Sequence, residues 1–391
     1  MGDAVDSDPA RFYGPRTEPS KRFLGSREHA AAAAAAGRPS VPRLVVLTGF
    51  LGAGKTTTML AAGRLLTRRG NRVAVITNDQ GSDLVDTRAA SDVTPDVGEV
   101  TGGCFCCRFE DLADLVTELL DSGQADTILA EAVGSCTDLQ ATVIRPLRAR
   151  YRDRLALAPL TAVLDPARVD ALDGDLEYLF ERQLAEADLI AVNKTDTLPR
   201  ADLDALLGQI RGRYPDAGLL GYSASTGAGV DQLVAHWTGA RQRGRDVDLD
   251  VDYDRYAAAE AELSWLNQVW QVAAPGGFSA RRWAHVALDS LSTACARQGH
   301  VIGHAKLAVQ SPAGLIRMSV VAAGDPPRHE PAAAEETDEP PVDQATVLLN
   351  VRATCPPRDL ESLVRSAAFD ADLAAGAAAR PGPASAFTPC C

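Results

Sequence analysis

The sequence predicts an α/β fold, in which a mostly parallel sheet flanked by helices is followed by a smaller C-terminal α+β domain. Three observations carry that reading. Apolar runs without polar alternation recur between residues 44 and 222, the pattern of strands covered on both faces. Segments of helical spacing separate those runs, as in alternating β and α units. A glycine-rich stretch ending in Lys-Thr stands between the first run and the first such helix, the context that identifies a P-loop NTPase.

Composition sets the outer limits. The chain has 391 residues, of which 39 are Lys or Arg and 52 are Asp or Glu, so its formal charge is −13. Its 46% hydrophobic content supports a packed core and excludes wholesale disorder. An acidic surface repels phosphate backbones and anionic lipid, so neither nucleic acid nor a membrane is expected as a partner. Met1 to Ser20 lack the apolar stretch of a signal peptide. The longest run of low polarity, Ala30 to Ala36, is far short of the ~20 apolar residues that span a bilayer. A cytoplasmic protein is expected. In a reducing compartment its eight cysteines read as metal ligands or buried residues rather than disulfides.

The elements follow in order. Residues 1–41 are rich in Ala, Arg, Pro and Ser and read as a disordered segment. Residues 42–242 hold strands at Leu44 to Thr48, Arg72 to Thr77, Thr127 to Ala130, Leu160 to Leu164, Leu189 to Val192 and Leu219 to Tyr222. Helices at Thr56 to Arg69, Asp111 to Leu120, Leu176 to Ala187 and Asp202 to Tyr214 lie between them. Residues 243–258 alternate Asp with apolar residues and read as an acidic linker. In the second unit, residues 259–375, a strand at Ala261 to Val272 precedes a Ser-capped helix at Ser279 to Gln298. A hairpin of Ala305 to Gln310 with Leu315 to Val321 follows, then a disordered insert at 324–344. A strand at Thr346 to Thr354 and a helix at Arg358 to Phe369 complete a ferredoxin-like order. Residues 376–391 read as a disordered tail.

Three motifs carry chemistry. Gly49-Phe50-Leu51-Gly52-Ala53-Gly54-Lys55-Thr56 fits G-x-x-x-x-G-K-[ST]. Backbone N–H groups from Gly49, Gly52, Ala53, Gly54 and on to Thr57 would cradle phosphates at a helix N-terminus. Lys55 would reach the β and γ phosphates, and the Thr56 hydroxyl would bind Mg²⁺. Asn193-Lys194-Thr195-Asp196 follows a buried strand and fits N-K-x-D. The Asp196 carboxylate can accept from the guanine N1–H and amine, an arrangement that adenine lacks. This disfavours an ATP-dependent kinase. Ser223-Ala224, after a later strand, stands where a backbone group would meet the guanine oxygen. The third motif is Gly102-Gly103-Cys104-Phe105-Cys106-Cys107. Three thiols within four residues can hold a soft or borderline metal such as Zn²⁺; a redox pair and a buried apolar cluster are the competing readings.

In this order, GFLGAGKTT, GGCFCC and NKTD resemble the CobW family of metallochaperone GTPases, relatives of UreG and HypB. The resemblance implies binding and slow hydrolysis of GTP and metal-dependent handover to a client metalloenzyme. It makes Cys104, Cys106 and Cys107 the C-x-C-C metal site, with zinc favoured over Co²⁺ or Ni²⁺, and it allows a homodimer. The family's E-N-E-F-G-E stretch is replaced by Thr77-Asn78-Asp79-Gln80-Gly81-Ser82, so Asp79 is the carboxylate left to help Mg²⁺ or water. Its E-T-S-G segment reads Glu131-Ala132-Val133-Gly134, which makes Glu131 the second Mg²⁺ group. Lys55, Thr56, Asp79 and Glu131 thus form the expected hydrolytic set. Cys136 reads as a small core residue, with membership of the thiol group as the alternative. His300-x-x-x-His304 with Cys295 has a spacing that a metal could use, but Gly299 and Gly303 point to a turn into a strand, and lone surface histidines are the preferred reading. Cys390 and Cys391 read as an unstructured end. The alternative reading is a GTPase chaperone that gates cobalamin loading or repair of a cofactor-dependent enzyme.

Overall fold

The computed structural model describes residues 21–23, 41–79, 90, 94, 96–239, 251–329 and 340–387. The first unit runs β1 (Lys21–Phe23), β2 (Arg43–Thr48), α1 (Lys55–Arg68), β3 (Val73–Asp79), β4 (Val97–Thr101), α2 (Phe109–Ser122) and β5 (Thr127–Glu131). It continues through α3 (Arg145–Tyr151), β6 (Ala156–Leu157), β7 (Thr161–Leu164), α4 (Gly174–Glu186), β8 (Leu189–Val192), α5 (Arg200–Arg213), β9 (Gly218–Gly221) and α6 (Val230–Thr238). The sheet order is β1-β4-β3-β5-β2-β7-β8-β9, with β6 also paired to β2. Every pairing is parallel except β1 with β4.

Period-two alternation feeds both faces of this sheet. On β2, Val45 and Leu47 pack with Met59 and Leu66 of α1 and Trp237 of α6. Leu44 and Val46 point the other way, into the cluster of Leu112, Leu115 and Val116 from α2. Strands with both faces buried need no polar alternation, which is why they read as continuous apolar runs.

The second unit runs α7 (Tyr253–Glu262), β10 (Ser264–Phe278), α8 (Ala280–Gln298), β11 (Ile302–Ser311), β12 (Gly314–Val320), β13 (Arg328–His329), β14 (Val342–Ala353), α9 (Pro357–Ala375) and β15 (Ala378–Phe387). Its antiparallel sheet has the order β13-β12-β11-β14-β10-β15. Strands β15-β10-β14-β11, with a helix after β10 and another after β14, have the ferredoxin-like arrangement. The pair β12 and β13 widens it at one edge. Trp283, Leu288 and Leu291 of α8 close a core with Leu360 and Val364 of α9 and Val347 and Leu349 of β14.

Several sequence expectations are corrected here. Lys21–Phe23, inside the segment read as disordered, pairs with β4. Within the acidic linker Asp252 caps α7 by accepting from Asp254 N and Arg255 N, both at 3.1 Å, and the alanines after it favour a helix. The following strand therefore starts at Ser264, not Ala261. The insert contributes β13, which pairs with β12. The tail pairs with β10 over most of its length. Its Ala, Pro and Gly content hid it, yet Pro381 and Pro383 lie on an edge strand beside a register shift, where proline is tolerated. Residues 243–250 of the linker, residues 330–339 of the insert, and Cys390 and Cys391 lie outside the described residues. Among the described residues, no helix is long and apolar enough to cross a membrane.

One buried acid makes the fold pH-dependent. Glu186 at the end of α4 is fully buried and accepts from Gln140 N at 3.1 Å. Burial pushes its carboxyl up from 4.5 to about 8, against the pull of the Gln140 N–H. A raised folded-state value means that the native chain holds a proton which the unfolded chain has released. The stabilising contribution is complete below 4.5 and is lost as pH rises through about 8. Glu186→Gln should therefore flatten the fall in denaturant midpoint between those two pH values; an unchanged slope would show that other groups set it.

Candidate functional site

The P-loop lies at the C-terminal end of β2, and β7 on one side and β5 on the other fix its surroundings. Gly49 has φ +124°, and a Cβ there would overlap the Val163 carbonyl, so no other residue fits. Lys55 folds back across the loop and donates to Gly49 O at 2.7 Å and Phe50 O at 3.2 Å. The parallel register sets Leu47 beside Glu131. That places the Glu131 carboxylate where it accepts from the Thr56 hydroxyl at 2.9 Å. Two hard oxygens so close, at the mouth of a phosphate cradle, suit a divalent magnesium ion. The Asp79 backbone ends β3, but its side chain lies outside what is described.

The base side is tied to the same loop. Asn193 donates to Ala53 O at 2.9 Å and accepts from Ala224 N at 2.9 Å. One buried amide thus joins the P-loop, the N-K-x-D turn and the Ser223-Ala224 loop. Lys194 donates to Gly52 O at 2.8 Å and pairs with Asp165 at 2.5 Å. Asp196 is exposed and lines a cavity of about 290 Å³ with Gly54, Thr57, Asn193 and Ala224. Ser223 is buried, and its hydroxyl accepts from Thr226 N at 3.2 Å.

The cysteine loop leaves β4 through Gly102, whose φ is +72°. Asn78, next to the end of β3, holds it: its amide donates to Val100 O at 3.1 Å and Gly103 O at 2.8 Å and accepts from Phe105 N at 3.0 Å. The Sγ atoms of Cys104 and Cys106 are in disulfide contact. Cys107 Sγ lies 3.3 Å from Cys104 Sγ and 3.9 Å from Cys106 Sγ. Cys136 adds a fourth sulfur, since its Sγ and those of Cys104 and Cys106 lie within 4.8 Å of one another. Cys136 combines the two readings its sequence allowed: it is buried, and it lies in the thiol cluster. Burial pushes its thiol well above the ordinary range, with Glu260 adding to the rise. Metal binding is what would draw off such a proton. A set of clustered sulfurs suits a soft or borderline ion, zinc included.

Other expected groups separate. Cys295 is buried in the core of the second unit, where burial raises its thiol to about 11. His304 instead lines the phosphate cavity with Lys55, Thr56 and Glu131. His300 and Cys295 are therefore not part of one site with it. Asn78 and Cys136 were the residues that sequence reading underrated. The T-N-D fragment contained Asn78, but its three partners come from segments over twenty residues away.

Residues 43–218 match a protein family, described as CobW/HypB/UreG, nucleotide-binding domain. This stretch is a CobW/HypB/UreG nucleotide-binding domain. The chain is 28% identical over 253 residues to the zinc chaperone CobW of a Sinorhizobium species, covering 54% of this chain and 71% of that one. It is 32% identical over 213 residues to zinc chaperone CobW of Pseudomonas aeruginosa, covering 44% and 54%. With zinc chaperone YjiA of Escherichia coli it shares 31% over 181 residues, covering 44% and 55%. For the last two the chain spans about half the relative's length. The crystal structure of Zn(II)-bound YjiA GTPase from E. coli aligns over 84% of this chain and 99% of its own at 17% identity, with a TM-score of 0.37. A superposition that loose supports no further argument.

Within the CobW/HypB/UreG domain, Asn78 is the brace between the end of β3 and the cysteine loop. Removing it strands Val100 O, Gly103 O and Phe105 N, at about 1 kcal/mol each. Asn78→Ala should lower stability by about 2–3 kcal/mol and speed amide exchange over residues 102–106. Exchange confined to its parental rate would show that the loop holds itself.

Proposed function

We propose that this protein binds and hydrolyses GTP and uses that cycle to load zinc on a cysteine cluster and release it to a client metalloprotein. One observation carries the reading: the phosphate cradle and the sulfurs share their scaffolding. Glu131 and Cys136 are five residues apart on one short segment. Asn78 lines the phosphate cavity and also braces the cysteine loop. The zinc chaperone names of the relatives point the same way.

The chain's own groups have distinct parts. The P-loop amides and Lys55 would hold the triphosphate, and Asn193 would keep the base-side turns in place. Asp196 would read guanine by accepting from its N1–H and amine. Thr56 and Glu131 would hold the magnesium ion, which supplies charge neutralisation of the phosphates. Occupancy of the cavity would shift Glu131 or Asn78, and either shift reaches the sulfurs through a few bonds. Zinc is cargo in this scheme, taken by thiolates and released when the cluster loosens.

Three measurements test this. Asp196→Asn replaces an acceptor with a donor, so GTP affinity should fall roughly a hundredfold while xanthosine triphosphate, which carries a carbonyl in place of the amine, gains. An unchanged preference would mean that Asp196 does not read the base. Zinc affinity of the reduced protein, measured with GDP and with a nonhydrolysable GTP analogue, should differ between the two states. Cys136→Ser should weaken zinc roughly tenfold or more while leaving GDP binding unchanged. Equal zinc affinities in the two nucleotide states would sink the loading cycle.

A further inference from the structure

The second unit does not stand apart from the nucleotide site. His304 and Lys306 of β11, Ser319 of β12 and Arg352 of β14 close the phosphate cavity over Lys55, Thr56 and Glu131. Arg317, Ser319, Arg328 and His329 likewise face Thr57, Asn193 and Asp196 across the base-side cavity. The antiparallel sheet is the lid of the P-loop.

Its position is held by backbone contacts, not by surface charge alone. Arg168, just after β7, is buried and donates to Ile302 O at 2.8 Å, Gly303 O at 3.2 Å and Val321 O. A Cβ on Gly52 of the P-loop would lie 2.9 Å from Gly303 O, and one on Gly303 would lie 2.7 Å from Leu51 Cδ1. A side chain at Gly52 would press on the backbone of β11, and one at Gly303 would push the Leu51 side chain aside. On the far side Ser135 donates to the buried Glu260 of α7 at 2.6 Å.

Charge then decides what this enclosure suits. Lys55, Lys306 and Arg352 face it with Glu131 as the carboxylate on the lining. Burial first, and then Lys306, Arg352, Lys55 and Arg168, hold His304 well below the ordinary imidazole range, so it adds no further positive charge. Lys306 Nζ stands 3.4 Å from Thr56 Oγ1, beside the hydroxyl at the phosphate end of the cradle. A lysine stem is long and flexible, and from that place its ammonium reaches whatever anionic oxygen fills the cavity.

We propose that Lys306 is a phosphate finger supplied in cis by the second unit, contacting the terminal phosphate of the nucleoside triphosphate. The proposal rests on the nucleotide reading above and adds the docked sheet as a condition of hydrolysis. In that step the oxygen of water bonds to the terminal phosphorus while the bond from phosphorus to the bridging oxygen breaks. The bridging oxygen keeps the electron pair and leaves as part of the diphosphate. The water protons pass to solvent and phosphate, and Lys306 keeps its own. Negative charge shifts onto phosphate oxygens in that transition state, and a fixed ammonium there lowers its energy more than that of the ground state. Arg168 is a positioning residue, since it acts by holding β11 in place.

The test uses the full chain with Mg²⁺, GTP, GDP, and GDP with aluminium fluoride as a mimic of the transferring phosphoryl group. Lys306→Gln should lower kcat roughly a hundredfold with GDP affinity within about twofold of the parent, and should lose trapping of the fluoride complex. Lys306→Arg, which keeps the charge, should recover most of the rate. Arg168→Ala should lower kcat in the same way while GDP still binds, and it decides the matter if the glutamine variant does not fold. Parental kcat in a folded Lys306→Gln, with GTP still bound, overturns the finger whatever Arg168→Ala shows, and leaves the nucleotide reading intact. A parent chain that binds no GTP overturns both.

Discussion

The parallel pairing of β2 with β5 is the constraint from which the rest of the site follows. It sets Leu47 beside Glu131 and so delivers a carboxylate to the Thr56 hydroxyl at 2.9 Å. A slip of one residue would turn Glu131 to the opposite face of the sheet. The same strand end then sends Ala132, Val133 and Gly134 along the wall of the cavity, with Cys136 two residues beyond it and Ala132 N bonded back to Leu47 O at 2.9 Å. Phosphate cradle, metal-type oxygens and thiols are thus consecutive stations on one short path. This is why a change at the cavity has somewhere to go: packed interiors transmit displacement instead of absorbing it.

A second path starts at β3. Asn78 bonds three groups of the cysteine loop and lines the phosphate cavity. Its amide is buried, so each of those hydrogen bonds is costly to leave unmade. The loop is consequently not a free tether for three thiols. Cys104 and Cys136 are fully buried while Cys106 and Cys107 are partly buried, so the cluster has one closed side and one nearer the surface.

The second unit gives this arrangement its boundary. Trp265 of β10 packs into the same apolar cluster as Cys104, Phe105 and Cys136, and Arg352 stacks over that indole at 3.7 Å from its centroid. Arg352 also lines the phosphate cavity. The sheet therefore touches both functional ends of the domain it covers. Its antiparallel strands present one face to α8 and α9 and the other to the nucleotide domain, which accounts for buried polar residues such as Asn267, Asn350 and Arg352 among its apolar ones.

The sequence by itself determined the α/β class, the order of most strands and helices, and the three motifs. These are local properties: apolar periodicity, glycine where φ is positive, and short spacings are all written within a few residues. Elements whose stability comes from distant partners escaped it. β15 is an Ala- and Pro-rich segment that is a strand because β10 offers an open edge, and α7 begins where one of several similar aspartates happens to cap it. Cys136 was read first as a small core residue and only second as a member of the thiol group, because sequence alone does not bring its sulfur to Cys104. His304 looked like a surface histidine because nothing near it mentions the P-loop, whose Thr56 lies 250 residues before the Lys306 that approaches it. Tertiary structure decided these points, since hydrogen-bond geometry, the closeness of sulfurs and the charge of an enclosed cavity depend on separations in space that a linear pattern does not encode.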